Sequence, residues 1–235
     1  TVVLRRPIKE QALNIVCFYW KGTSSRYPGW NDEILARKYI NNLYRGVNIH
    51  LKMPFKFITF TNEFKEGVDS GIEIRPFVPL SWTGCFPKLY AHSPAAELTG
   101  RVLVFDLDTI IVGDITDFGK YDGAFTTRME PTHSRVSAGD LLGFTAGETF
   151  ELWENYKIIH KYVEKYEGDE REIYNLLWKN LLYWQEEIPG QLVSYKRDVL
   201  LNHDMIPKNA RIISAHGRPR PHEIKNSWIS RYWRA

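Results

Sequence analysis

A chain of 235 residues, with 31 Lys and Arg against 28 Asp and Glu for a formal net charge of +3, fits one large α/β domain or two small ones with a substantial core. So small an excess of positive charge, mixed evenly with acids, lacks the footprint of a nucleic-acid binder. No apolar stretch approaches the ~20 residues that span a bilayer and no signal peptide is visible. The two cysteines, Cys17 and Cys85, lie among apolar neighbours, as expected of reduced thiols in a cytoplasmic protein rather than of a disulfide framework.

Asn14–Trp20 reads as a first buried strand that runs into the turn-prone Lys21–Ser25. After Asn31, a natural N-cap, Leu35, Tyr39 and Leu43 recur every four residues and Gly46 supplies a stop, which predicts a helix. Phe55–Thr61 is a second strand and Ile72–Ile74 a shorter third, closed by Pro76 and Pro79. This alternation suggests a nucleotide-binding α/β half over residues 1–112. Residues 113–235 then make a second half of the same domain, less regular in pattern. There the polar stretch Arg128–Arg135 is expected to be a substrate loop, Leu141–Phe144 a strand, and Leu152, Tyr156, Ile159 and Val163 one helix face. Ile173, Leu176, Leu177 and Leu181 mark another helix face beginning at Asp169, and Arg211–Ser214 is a late strand.

The most informative stretch is Val102-Leu103-Val104-Phe105-Asp106-Leu107-Asp108, followed at once by Thr109-Ile110-Ile111. An apolar run rich in Val, ended by polar residues, reads as a central strand, and open α/β sheets bind ligands at the carboxyl ends of their strands. In extended backbone, side chains two residues apart face the same way about 6.6 Å apart. Asp106 and Asp108 are therefore expected to offer oxygen donors to one point, which suits Mn²⁺ or Mg²⁺ completed by water and phosphate. A second cluster, His216-Gly217-Arg218-Pro219-Arg220-Pro221, sets an imidazole beside two arginines splayed by prolines. Arginine reads phosphate through two parallel hydrogen bonds, and histidine is a frequent metal ligand.

On these two segments the chain resembles the metal-dependent glycosyltransferases of the GT-A fold. The closest likeness is to the family-eight type that includes glycogenin and the bacterial lipopolysaccharide galactosyltransferases. The resemblance implies a mixed, mostly parallel sheet flanked by helices. It also implies transfer of a sugar, expected to be a hexose on UDP, to a glycan or other hydroxyl acceptor with retention. Asp106 and Asp108 match its D-x-D, with His216 near the histidine that completes the metal site. Ser137-Ala138-Gly139 sits where the family has Asn-Ser/Ala-Gly facing the donor sugar, and Asp169-Glu170 where it has Asp-Gln. Gly217, Arg218 and Arg220 follow its late G-x-x-K-P segment, and Lys88 lies where the family carries a base upstream of the acidic motif.

The chain departs from that pattern at Ser137, at Glu170, at His222 (where a Trp is usual), and in the spacing of His216, since the family's His stands three residues before its Gly. Asp169, Glu170 and Asp140 are the candidates for acceptor-side acid or base work, although Asp169 with Glu172 also forms a capping box. Tyr19 and Trp20, ending the first strand, either stack on the nucleobase or close the core. A lysine such as Lys88 is ordinarily solvated. The resemblance leaves peripheral association with a membrane surface open. Two other classes fit parts of the pattern. A haloacid dehalogenase-like phosphatase also places D-x-D after an apolar strand, but its pattern wants Thr or Val where this chain has Ile110. A nucleotide-sugar-binding protein without turnover would keep the fold and tolerate the altered Ser137 and Glu170.

Overall fold

The computed structural model describes residues 13–22, 31–132, 135–163 and 170–233. Strand β1 (Leu13–Phe18) is buried along its whole length. It pairs in parallel with β2 (Phe55–Phe60) on one side and β4 (Arg101–Phe105) on the other, and β3 (Ile72–Arg75) continues the sheet beyond β2. The strands lack polar alternation because both faces are covered. Leu13, Ile15, Cys17, Leu103 and Phe105 pack into one core cluster, while Val16, Phe18, Val102 and Val104 pack into the other. Buried β-branched and aromatic side chains of this kind stabilise by roughly 1.5–3 kcal/mol each.

Helix α1 (Glu33–His50) starts one residue later than expected. Asp32, not Asn31, is the N-cap, accepting from Ile34 N at 2.9 Å and Leu35 N at 3.1 Å, an arrangement worth about 1 kcal/mol. Gly46 does not end this helix, which continues one turn further. A Cβ at Gly46 would lie 3.1 Å from Ile111 Cβ, so the glycine lets the helix approach the strand that follows the acidic pair.

The second half extends the same sheet. Strand β7 (Ser137–Thr145) runs antiparallel to β4, β6 (Thr126–Met129) runs antiparallel to β7, and β8 (Leu182–Tyr183) lies parallel to β6. The resulting order is β3-β2-β1-β4-β7-β6-β8. The expected polar loop is thus shorter than the sequence suggests: Arg128 and Met129 belong to β6, and the Glu130 N–H donates to Val136 O at 2.7 Å to tie the turn. His133 and Ser134 lie outside the described residues. A smaller sheet joins β5 (Thr109–Ile111), β10 (Ile212–Ser214) and β9 (Leu192–Ser194), and fixes the late segment beside the acidic turn.

Short helix α2 (Thr116–Lys120) follows β5. Helix α3 (Phe150–Val163) buries Leu152, Trp153 and Tyr156, and α4 (Glu170–Leu177) buries Ile173 and Tyr174. Leu176, expected on the buried face of α4, is 66% exposed instead, and Leu181 lies beyond the helix end. Two further short helices, α5 (Trp184–Glu187) and α6 (Ile229–Tyr232), complete the fold. Among the described residues no helix is long and apolar enough to cross a membrane.

Candidate functional site

Strand β4 ends at Phe105 and the chain turns sharply through Asp106-Leu107-Asp108, with the Thr109 N–H donating to Asp106 O at 3.2 Å. The two acids therefore stand on a tight turn rather than on the extended strand expected, and their environments differ. The Asp106 side chain is 31% exposed and that of Asp108 only 8%. The turn is anchored on both sides, by Asp106 N–H to Asp140 O at 2.9 Å and by Ala215 N–H to Asp108 O at 3.3 Å.

Each carboxylate carries a cation. Lys88 Nζ lies 2.7 Å from Asp106 Oδ1 and also donates to Gly139 O at 3.2 Å. Lys88 sits in a 3-10 turn spanning Phe86–His92 and is buried, not solvated. The Arg220 guanidinium is bonded to Asp108 Oδ2. Burial, reinforced by the neighbouring Asp106 charge and opposed by Arg220, raises the Asp108 carboxyl to about 7.

Asp140 follows Gly139 on β7, where Gly139 adopts a φ of +74°. Its carboxylate accepts from Arg128 Nε at 2.6 Å and from the Ser214 hydroxyl. Burial works to raise the Asp140 carboxyl, but Arg128 and the two hydrogen bonds prevail and hold it below its ordinary value. A carboxylate so committed is a poor proton acceptor, and its expected role as acceptor base gives way to a structural one. Of the other two candidates, Glu170 opens α4 and Asp169 lies outside the described residues.

The late segment leaves β10 through Ala215 and His216. His216 Nε2 pairs with Ser194 Oγ at 3.0 Å, and burial, with Arg128 nearby, pushes the imidazole below its ordinary value. Gly217 has a φ of +74°, and a Cβ there would sit 2.8 Å from Lys196 Nζ. Lys196 is a basic residue of this region that no sequence motif marks. Glu223 organises the rest, accepting from Arg220 N at 2.7 Å and from Arg218 at 2.5 Å, while the Arg218 side chain remains 80% exposed. His222, in place of the usual Trp, bonds Tyr39 OH through Nδ1 at 2.6 Å and so ties the segment to α1.

The donor set of the turn suits a hard cation. It offers two carboxylates, the number that Mg²⁺-like ions typically take when water and substrate phosphate complete the shell. It does not make a protein cage: among the described residues no three His, Cys, Asp or Glu side chains gather to hold a metal. The expected triad of Asp106, Asp108 and His216 is thus not assembled, because the imidazole nitrogen is turned to Ser194. Three residues before Gly217, where the family has its histidine, stands Ser214, whose hydroxyl serves Asp140.

The remaining expected residues divide. Gly139 lies in the site through its carbonyl bond to Lys88. The Ser137 hydroxyl is used inside the sheet, paired with Thr127 Oγ1 at 2.8 Å and accepting from Gly139 N, while its own N–H donates to Asn175 Oδ1 at 3.0 Å. Tyr19 closes the core against Phe64, with ring centroids 5.7 Å apart, and its hydroxyl is pushed up to about 12 by burial. Trp20 is half-buried at the same strand end.

No family model and no curated protein sequence matches the chain. Solved structures do. An active-site mutant of LgtC superposes with a TM-score of 0.62 over 93% of each chain at 12% identity. The glycosyltransferase GlyE of Streptococcus pneumoniae TIGR4 superposes with a TM-score of 0.54 at 16% identity, and its apo form does so at 14%. The matches to GlyE cover 90% of this chain and 56% of GlyE, so the chain spans little more than half the length of that protein. The sheet order and these likenesses identify the fold as that of a GT-A glycosyltransferase resembling family eight.

Proposed function

We propose that the chain is a glycosyltransferase that takes a hexose from a UDP-hexose donor and passes it, with retention, to a hydroxyl of a glycan or similar acceptor. The observation that carries this reading is the gathering of Lys88 and Arg220 on a two-carboxylate turn at the carboxyl end of β4, with Arg218 on the adjoining segment and Lys196 beside its Gly217. In the reaction the bond from the anomeric carbon to the donor phosphate oxygen breaks, the acceptor oxygen bonds that carbon, and the hydroxyl proton passes to the departing phosphate. Negative charge grows on the diphosphate, and fixed positive groups aimed at growing charge are usually the largest catalytic term. Lys88 and Arg220, carried on anchored backbone, supply that charge, and Arg218 and Lys196 hold the diphosphate from the solvent side. Asp106 and Asp108 would hold Mn²⁺ or Mg²⁺, which when bound acts as a Lewis acid on the leaving oxygens. By the family resemblance, Asp169 and Glu170 are the candidates for acid or base work at the acceptor.

The test is a thermal-shift panel of nucleotide sugars with and without Mn²⁺, followed by an assay of UDP release. A ligand at about a hundredfold excess over its Kd stabilises the fold by about 2.7 kcal/mol, so a true donor stands out. Asp108→Asn is expected to abolish UDP release while the protein remains folded. Release of phosphate from phosphomonoesters, with no response to any nucleotide sugar, refutes the assignment.

A further inference from the structure

We infer that Lys88 and Arg220 are built-in counter-ions of the acidic turn, which compete with a divalent cation for Asp106 and Asp108 and leave room for it only when a diphosphate takes up their charge. The inference rests on the reading of this turn as a diphosphate site and adds to it a mutual dependence of metal and nucleotide.

Two carboxylates face two cations, so with both acids ionised the set carries no net charge before any ligand arrives. Lys88 is almost wholly enclosed, with its side chain 6% exposed, so little water can replace Asp106 as its partner. Arg220 is 16% exposed and holds the deeper acid, Asp108. A dication entering alone meets two like charges at contact range, where repulsion in a partly buried site costs orders of magnitude in affinity. A diphosphate changes the balance, because it brings at least two negative charges to the same place. The guanidinium has five donors in a planar fork, enough to serve a phosphate while staying near its carboxylate.

The backbone is prepared for that exchange. The Arg220 N–H is held by Glu223 Oε2 at 2.7 Å, and Pro219 and Pro221 flank it, so the side chain moves and the main chain does not. Lys88 keeps its bond to Gly139 O as a second anchor when its carboxylate is claimed. Linkage then requires reciprocity: the factor by which UDP tightens the metal is the factor by which the metal tightens UDP.

The test is calorimetry with Mn²⁺ alone, UDP alone, and each in the presence of the other, on the wild-type protein, Lys88→Met and Arg220→Met. Far-ultraviolet circular dichroism confirms folding, and the two variants report on different carboxylates, so either suffices if the other fails to fold. We expect wild-type Mn²⁺ affinity to rise about tenfold or more with saturating UDP, and UDP affinity to rise by the same factor with Mn²⁺. Each folded variant should bind Mn²⁺ alone about tenfold more tightly than wild type, and so lose most of that interdependence. Equal Mn²⁺ affinity in wild type and variants overturns the inference, as does wild-type binding of Mn²⁺ that UDP leaves unchanged. If the variants gain Mn²⁺ affinity but UDP binds under no condition, the counter-ion role stands and the diphosphate reading falls.

Discussion

Arg128 Nε lies 2.6 Å from both carboxylate oxygens of Asp140, and both side chains are almost fully enclosed. The pair joins β6 to β7, and through the Ser214 hydroxyl it reaches β10, so one buried ion pair ties the main sheet to the small sheet behind the acidic turn. Removing one partner of such a pair leaves an uncompensated buried charge, at a cost of about 3–5 kcal/mol. Arg128→Met and Asp140→Leu should each lower unfolding free energy by that amount in urea titrations. The double variant should be clearly more stable than the sum of the two losses predicts. Additive losses would mean that the two groups do not depend on each other.

Gly217 connects His216 to the arginines at a φ of +74°, a left-handed conformation that costs a side-chain-bearing residue about 1–2 kcal/mol. In Gly217→Ala the nearest obstacle is the mobile end of Lys196, so backbone strain is the main effect rather than collision. The loop relieves that strain by leaving the conformation that presents Arg218 and Arg220, and apparent affinity falls with the fraction that remains competent. UDP affinity in the presence of Mn²⁺ should drop about fivefold or more, with the thermal midpoint little changed. Unaltered UDP affinity would place this loop outside the site.

The parts of this fold that are local in sequence were readable there. Apolar runs such as Val102–Phe105 announce strands buried on two faces, and the acids that end the run mark the sheet's carboxyl edge. What could not be read depends on register. Arg128 looks like loop because its neighbours are polar, yet the irregular pairing of β6 with β7 between Thr127 and Met129 puts it against Asp140. Gly46 looks like a helix stop because the close approach of Ile111 is invisible along the chain. For Ser214 the spacing to Gly217 was available, but that its hydroxyl serves Asp140 follows only from the pairing of β10. The polarity of Lys88 suggested solvent, and only the folded turn shows the carboxylate that makes its burial tolerable.

The Cys17 thiol is completely buried in β1 beside the Thr59 hydroxyl at 3.2 Å, and burial pushes it up to about 12. Since the thiolate is the reactive form, Cys17 should resist iodoacetamide in the native protein, whereas the half-buried Cys85 should react first. Mass spectrometry of alkylated peptides, with and without urea, reads both. Fast labelling of Cys17 under native conditions would show that β1 opens readily.

His92 is enclosed completely, with Phe144, Phe125 and Tyr174 around its ring at 4.5, 5.3 and 5.6 Å and Nδ1 paired with Thr149 Oγ1 at 2.8 Å. Burial depresses the imidazole from 6.5 to about 3. Below 6.5 the unfolded chain therefore takes up a proton that the folded chain refuses. The stability contributed by a neutral His92 is full above that value and is lost as pH falls from 6.5 toward 3, by about 1.4 kcal/mol per pH unit. His92→Asn can keep a hydrogen bond to Thr149 without titrating. It should be less stable than wild type near about pH 7, because a ring is lost from the aromatic cluster, yet its urea midpoint should fall less steeply toward about pH 4.5. The surface carboxylates titrate alike in the two proteins, so the difference between the two slopes isolates His92. Parallel slopes would mean that the ring is protonated in place, with a counter-charge inside the cluster.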